Sequence, residues 1–393
     1  MTLYRLVVAV ALLLVAIGLR APIVAASPLL HEIQSRLDLS SAEAGLLTTL
    51  PVLCFGVFSP LAPLLARRWS MELVIFGSTV VLLAAIALRL VPSTQLLFGG
   101  TLLAGIAIAI GNVLLPALIK RDFPKNGGTM TAAYVTALTL GAALPAGLTV
   151  PLERAAGLDW RAALAMWGFF PVLALLMWIP QLRSAHRIAG PPHRIPLRAL
   201  LRDPVAWYVT AFMGMQSLGF YTTTAWLPTL FVSHGMDARS AGWLLSIANV
   251  IGIPAVLLVP IVIVKLRRQT PFVLGMAAIY TIALIGLLLD PVPLALLWMA
   301  LLGLAQSATI SLAMSFILLR SPDAAHAAQL SSMSQGAGYM LAALGPFLFG
   351  ALRDASSGWA LPLIALLFFV IVPLALSGVA AARPRFVGSA GAA

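Results

Sequence analysis

The chain has 393 residues, of which 61% are hydrophobic and only 9% are charged. With a mean hydropathy of +1.03, this composition excludes a soluble globular protein and indicates an integral membrane protein, with the lipid bilayer as a partner. The formal net charge is +12. Because the basic residues lie in short gaps between apolar runs, we interpret them as topology signals and lipid contacts, and we expect no nucleic-acid partner.

Clusters of charged and turn residues divide the chain into twelve predicted transmembrane helices of roughly 20 residues each. They cover 6–30, 44–66, 73–91, 96–119, 130–150, 162–179, 205–231, 241–264, 272–289, 293–319, 327–352 and 359–381. The longest polar connection follows the sixth span. We therefore predict an all-α membrane protein with an N-terminal six-helix half (1–182), a cytoplasmic linker (183–204) and a C-terminal six-helix half (205–393).

The distribution of lysine and arginine predicts the orientation of these spans. With the N-terminus inside, the inner segments hold 17 of the 24 basic residues and the outer segments hold 6, while Arg20 lies in the first span. Positively charged loops stay in the cytoplasm. We expect both termini and the linker to be cytoplasmic, in a bacterial inner membrane.

The two halves resemble each other in sequence. GIAIAIGNVLLPALIKRDFP (105–124) aligns with GLAQSATISLAMSFILLRSP (303–322), and AALP from Ala142 aligns with AALG from Ala342. Both offsets are close to half the chain length. The pattern predicts a parallel internal duplication.

These features resemble the major facilitator superfamily, and the resemblance covers the whole chain. The loop signature of that superfamily, Gly-x-Leu-Ala-Asp-Arg-x-Gly-Arg-Arg, falls on PLLARRWSME (63–72), where Arg67 replaces the aspartate and Ser70 the second glycine. The charge-paired gate attributed to that loop therefore does not carry over directly. GLRAPI (18–23), SSAEAGLLTTLPVLCFG (40–56) and the motif at 105–124 resemble the cyanate and 2-nitroimidazole porter family, which leaves the solute open between small anions and nitro-aromatic compounds.

Arg20 is the deepest charge in the predicted spans. It is about 21 Å from Leu6 and about 15 Å from Leu30 at 1.5 Å per residue, so it should face a wet cavity or a partner rather than lipid. Because no acidic residue falls inside the predicted spans, a solute is expected to supply the negative charge through forked hydrogen bonds. The alternative is a structural arginine bonded to carbonyls and amides. Arg89, two residues from the outer end of its span, is expected to extend to the interface.

Other polar side chains within the apolar helices complete the predicted site. The resemblance implies a central cavity lined by spans 1, 4, 7 and 10, with faces of spans 2, 5, 8 and 11. The predicted solute-binding residues are Arg20, Asn112, Tyr134, Gln216, Tyr221, Asn249, Gln306 and Gln335. The alternative for each is a helix-to-helix hydrogen bond. Pro22 and Pro28 are expected to interrupt the first span.

The predicted helices contain no set of nucleophile, base and metal ligands, and the five histidines lie outside them. We therefore expect no enzyme, cofactor or metal site, and a monomer. The predicted function is a secondary transporter that moves a small anionic or polar organic solute, cyanate-like or nitroimidazole-like, by alternating access. The alternative is a multidrug-type exporter of neutral nitro-aromatic compounds that stack on Phe220, Tyr221 and Trp226. The absence of acidic residues from the spans further predicts a facilitator or exchanger without a proton-binding side chain.

Overall fold

The computed structural model describes residues 3–123, 127–182, 197–322 and 324–387. Its helices are α1 Leu3–Val24, α2 Ala26–Leu37, α3 Ser41–Phe58, α4 Leu61–Trp69, α5 Met71–Leu88, α6 Thr94–Asp122, α7 Gly127–Ala156, α8 Trp160–Ala165, α9 Phe169–Leu182, α10 Leu197–Arg202, α11 Pro204–Ser233, α12 Ala238–Lys265, α13 Thr270–Leu289, α14 Ala295–Leu319, α15 Ala324–Ser356, α16 Ala360–Leu366 and α17 Val372–Ala381. A 3₁₀ turn joins α8 to α9, and a π turn joins α16 to α17.

Eleven helical segments in the described residues are long and apolar enough to cross a membrane, against the twelve predicted. The seventh predicted span corresponds to α11, a 30-residue helix that is not among the eleven. Its threonines and Gln216 make it more polar, but Thr222, Thr223 and Thr224 are buried, so these hydroxyl groups face protein rather than lipid. The protein is a multi-pass, all-helical membrane protein.

The first span is longer than predicted. It runs over Leu6–Leu37, with an interruption of one residue at Ala25 between α1 and α2. Pro28 has no N–H to donate to the carbonyl one turn earlier, which accounts for a break at this point. The prediction that this span ends at Leu30 was therefore wrong. Glu32 and His31 both lie within it.

The prediction that the spans contain no acidic residue was also wrong. Besides Glu32, the apolar helical segments include the exposed Glu43 and Asp354, and also Glu72 in the first turn of α5 and Glu153 in the last turn of α7. These last two are buried, at 3% and 8% exposed, and the carboxylates of Glu32 and Glu153 interact electrostatically. Hydropathy located the apolar centres of these helices but not their polar ends. The argument for a facilitator or exchanger thus loses its basis.

Two glycines show how the duplicated helices pack. A Cβ at Gly105 on α6 would lie 2.6 Å from the Cα of Pro51 on α3, and a Cβ at Gly303 on α14 would overlap the carbonyl oxygen of Ala248 on α12. Only glycine permits such close approaches. The two glycines occupy the same position in the aligned repeats, so the predicted duplication holds in the packing of each half.

The chain forms two compact units. Unit 1 comprises Met1–Gly190 and Thr224–Ser246, and unit 2 comprises Pro191–Thr223 and Ile247–Ala393. Residues 183–196 of the predicted linker lie outside the described residues, and its remainder includes the short helix α10. The division into halves at 183–204 stays a prediction.

Candidate solute-binding site

Arg20 lies near the middle of the first span. It is 14 residues from Leu6 and 17 residues from Leu37, the ends of that span, or about 21 Å and about 26 Å along a helix. Its side chain is neither fully buried nor fully exposed. At this depth the half-buried guanidinium suits a polar pocket rather than the bilayer interface.

Tyr134 on α7 is the second predicted residue in this region of unit 1. The helices α1 and α7 approach closely, because a Cβ at Gly141 would lie 2.5 Å from the carbonyl oxygen of Ile17. Tyr134 is buried at 7% exposed, and the charge of Arg20 acts electrostatically on its hydroxyl. The structure therefore brings Arg20 and Tyr134 together.

Asn112 on α6 lies on a third helix of the same region. The preceding residue, Gly111, faces Leu19, which precedes Arg20: a Cβ at Gly111 would lie 2.7 Å from Leu19 Cδ2. Asn112 itself is half-buried. The helices α1, α6 and α7 thus place all three predicted residues of unit 1 on neighbouring elements.

Arg89 does not extend to the interface, so that prediction was wrong. It is 4% exposed, and its Nη1 donates a hydrogen bond to the carbonyl oxygen of Pro22 at 2.8 Å. Sequence distance from the end of a span could not reveal this burial. It depends on Pro22, 67 residues earlier in the chain.

The predicted glutamines of unit 2 are engaged within that unit. Gln306 Nε2 donates to Thr223 Oγ1 at 2.7 Å and to Tyr280 Oη at 2.8 Å. Gln216 Nε2 donates to Ser217 Oγ at 2.6 Å and to the Met213 carbonyl at 3.2 Å. The Gln306 contacts are helix-to-helix hydrogen bonds of the kind that is the alternative to solute binding. Sequence reasoning missed Thr223 and Tyr280, since only the folded structure brings them to Gln306.

The other predicted residues of unit 2 lie on α11, α12 and α15. The Tyr221 ring is 5.3 Å from Phe220 and 6.4 Å from Tyr339, both in edge-on geometry. Gln335 Nε2 donates to Ser331 Oγ at 2.8 Å, and Asn249 is half-buried.

The predicted stacking surface needs one correction. Trp226 is completely buried, at 0% exposed, and it belongs to unit 1. It therefore presents no open ring face. Tyr339 forms an aromatic group with Phe220 and Tyr221 within unit 2.

Comparison with known proteins identifies the family. The sequence pattern described as Major Facilitator Superfamily matches residues 8–346. The chain belongs to the major facilitator superfamily. Among solved structures, the crystal structure of a D-xylose-proton symporter has a TM-score of 0.74 at 16% identity, covering 96% of each chain, and it shows the same fold.

Three curated relatives refine this assignment. The chain is 40% identical over 378 residues to the uncharacterized transporter YycB of Bacillus subtilis (strain 168), covering 96% of this chain and 93% of that protein. It is 40% identical over 382 residues to the 2-nitroimidazole transporter of Escherichia coli (strain K12), covering 97% and 96%. It is 26% identical over 372 residues to the cyanate transport protein CynX of Escherichia coli (strain K12), covering 92% and 95%.

These likenesses confirm the predicted membership of the cyanate and 2-nitroimidazole porter family. The family match and the relatives, which are named as transporters and align over nearly all of this chain, indicate a transport protein rather than a membrane-embedded enzyme. The protein is a secondary transporter of small solutes.

Proposed function

We propose that this superfamily member moves a small anionic or polar organic solute, cyanate-like or nitroimidazole-like, by alternating access, and that Arg20 binds the solute. The observation that carries the proposal is the position of Arg20: a half-buried guanidinium near the middle of the first span. A permanent positive charge at this depth is expensive to place in a membrane and is typically retained for function.

The chemistry of the side chains around Arg20 fits this class of solute. A guanidinium offers five N–H donors in a planar fork, which suits the terminal atoms of cyanate or the two oxygens of a nitro group. Tyr134 adds a hydroxyl within the electrostatic reach of Arg20, and Asn112 adds an amide on the neighbouring α6. The five predicted residues of unit 2 remain proposed contacts.

The printed names of the relatives support the same class. One relative is named for cyanate, a small anion, and another for 2-nitroimidazole, which carries a nitro group. Both chemical groups accept hydrogen bonds from a guanidinium. A single arginine could thus serve either solute.

A neutral nitro-aromatic exporter is the second candidate. The observation that favours it is the aromatic group of Phe220, Tyr221 and Tyr339 in unit 2, in which Phe220 and Tyr339 are half-buried rather than fully covered. Such rings can stack on a flat heterocycle.

Solute binding and uptake test the role of Arg20. Cyanate and 2-nitroimidazole should each raise the melting temperature of the purified protein, because a solute bound only by the folded state stabilises it. They should also compete in proteoliposome uptake. Arg20→Gln should abolish binding, and Arg20→Lys should weaken it by roughly tenfold or more, because lysine keeps the charge but loses the fork.

Arg36→Gln is the matched control. Arg36 lies in the same span, with a side chain 71% exposed and 3.7 Å from Glu32, so its removal should leave binding unchanged. Uptake at the wild-type rate by Arg20→Gln would reject the site. Transport of 2-nitroimidazole that survives Arg20→Gln but is lost in Tyr221→Ala would favour the second candidate.

The proposed orientation places both termini in the cytoplasm and the protein in the bacterial inner membrane. It rests on the bias of 17 inner to 6 outer basic residues. A reporter active only outside the cytoplasm, fused after Phe386, should give no signal. A strong signal would overturn the orientation.

A further inference from the structure

Arg89 is a buried cation whose burial the proposed transport mechanism does not explain. It caps the C-terminal end of α5 and is 4% exposed. Its Nη1 donates to the Pro22 carbonyl, while its Nε is buried without a hydrogen-bond partner, and it forms no ion pair within the described residues. Burying a guanidinium with so few partners costs free energy of folding. Its hydrogen bond to Pro22 is therefore a candidate for a functional role.

That contact lies beside the interruption of the first span. Pro22 is two residues before Val24, where α1 ends, and α2 begins at Ala26. Proline at 22 and again at 28 removes two backbone donors from this stretch, which weakens the helix locally. A side-chain donor from α5 to the Pro22 carbonyl therefore fixes the first span where its own hydrogen bonding is least complete.

A glycine on a third helix keeps room for the Arg89 side chain. A Cβ at Gly100 on α6 would lie 2.8 Å from Arg89 Cγ and 2.7 Å from the carbonyl oxygen of Ala85. Any larger residue at 100 would press on the stem of the arginine. Gly100 and Pro22 thus define the path of Arg89 from two sides.

The same stretch of helix carries Arg20. Residues 20 and 22 are about 200° apart around a helix, so they lie on nearly opposite faces. Arg89 contacts the first span at Pro22 from α5, whereas the charge of Arg20 acts electrostatically on Tyr134 of α7. A rotation or tilt of the span at Ala25 would redirect both faces together.

We infer that Arg89 is a positioning residue, which holds the interrupted first span through the Pro22 carbonyl and so sets the direction of Arg20 toward the solute. This inference rests on the proposed function of Arg20. One hydrogen-bond donor at residue 89 suffices for it, whereas Arg20 needs the complete fork. Lysine should therefore be tolerated at 89 and not at 20.

The test combines a structural and a functional measurement on the full chain. Nitroxide labels are attached at Leu6→Cys and Arg36→Cys in a Cys54→Ala background, about 45 Å apart across the interruption at 1.5 Å per residue. Pulsed electron–electron double resonance then measures the distribution of distances between the two labels. Leu6 is 50% exposed and the Arg36 side chain is 71% exposed. Uptake of cyanate and 2-nitroimidazole into liposomes, with unlabelled protein, gives KM and the maximal rate.

Arg89→Met should shift or broaden the label distance and raise KM by roughly tenfold, the scale of one hydrogen bond to a charged group. Arg89→Lys should restore both values, and Gly100→Ala should reproduce the effect of Arg89→Met in milder form. Arg161→Met is the matched control: it removes another arginine of unit 1, whose side chain lies over Trp160 at 4.1 Å, and it should change neither measurement.

The outcomes separate this inference from the proposed function. An unchanged label distance in Arg89→Met, or in Gly100→Ala if the methionine variant does not fold, would overturn the positioning role whatever happens to uptake. A changed distance with unchanged KM would overturn it as well. If the wild type transports neither solute, the proposed solute class fails, and so does the link from Arg89 to solute binding; the label distances would then support only the contact with Pro22.

Discussion

The C-terminal ends of α6 and α14, equivalent helices in the two halves, each place an arginine at a helix end but give it different partners. On the first, Arg121 donates to Asp122 Oδ1 and to Glu72 Oε1, both at 2.6 Å. On the second, Arg320 donates to the carbonyl of Ala381 at 2.6 Å, to the carbonyl of Ala382 at 3.1 Å and to Gln269 Oε1.

The two environments act on the two guanidinium groups in opposite directions. The hydrogen bond to Asp122, together with that to Glu72, raises the pKa of Arg121 above its usual value. Burial lowers the pKa of Arg320, whose acceptors are all neutral. Both helix ends therefore have an arginine that links different segments of the chain. Arg121 binds negatively charged carboxylates, whereas Arg320 binds neutral carbonyl and amide oxygens.

The largest effect should come from removing the arginine of the charged end. Arg121→Met leaves Glu72, 3% exposed, as a buried carboxylate whose Oε2 already has no hydrogen-bond partner. An uncompensated buried charge costs about 3 to 5 kcal/mol of unfolding free energy. Titration with a denaturing detergent in micelles should show this loss. The double variant Arg121→Met/Glu72→Gln should regain more than half of it, and no recovery would contradict the ionic interpretation.

A smaller loss is expected at the dipolar end. Arg320→Met deprives two backbone carbonyls and the Gln269 side chain of a donor, which should cost about 2 kcal/mol. No charge is left behind, so adding Gln269→Met should bring no recovery, measured in the same titration. If the double variant regained most of the lost unfolding free energy, the ends of α6 and α14 would not differ in the charge of their partners as we infer.

The smallest effect should come from an ion pair that is charged but exposed. Arg154 Nη1 lies 2.9 Å from Asp237 Oδ1, with side chains 57% and 47% exposed, so Arg154→Gln should cost less than about 1 kcal/mol, and less still at high salt. The hydrogen bond from Arg154 lowers the pKa of Asp237. A depressed carboxyl pKa stabilises the fold above the unfolded-state value and loses this effect as pH falls through the folded-state value.

The difference between wild type and Arg154→Gln should therefore vanish in acid. Thermal melts across the acid range in detergent provide the measurement. If Arg154→Gln lowered the stability as much as Arg121→Met does, charge alone, without burial, would determine the size of the loss.

The sequence predicted the parts of the structure that depend on local composition. The depth of Arg20 followed from one charge in a long apolar run, and the duplication followed from the alignment of 105–124 with 303–322. The first helix, however, continues past Leu30 into the polar sequence that contains Glu32. Hydropathy marks only the apolar part of a helix, and this extension is polar: only Ile33 is buried in it, while Arg36 is exposed.

Contacts between distant segments were the main part that the sequence could not supply. Gln306 was predicted as a solute contact, but its amide group is engaged by Thr223, 83 residues earlier in the chain, and by Tyr280. Arg89 was expected at the interface, but its neighbours Pro22 and Gly100 create a buried site for it. Position along a helix gives depth in the membrane, whereas the direction of a side chain depends on the packing of other helices.

Ser70 occupies the position where the superfamily signature has a glycine, and its backbone has φ 87° and ψ 156°, a region that side chains other than glycine seldom adopt. Its N–H closes α4 by donating to Ala66 at 3.0 Å, and its hydroxyl accepts from the N–H of Leu73 at 3.3 Å to begin α5. A glycine would relieve the strain but lose the hydroxyl cap. Ser70 thus ends α4 and begins α5 with a single residue, and its hydroxyl cap offsets part of the strain that its backbone carries.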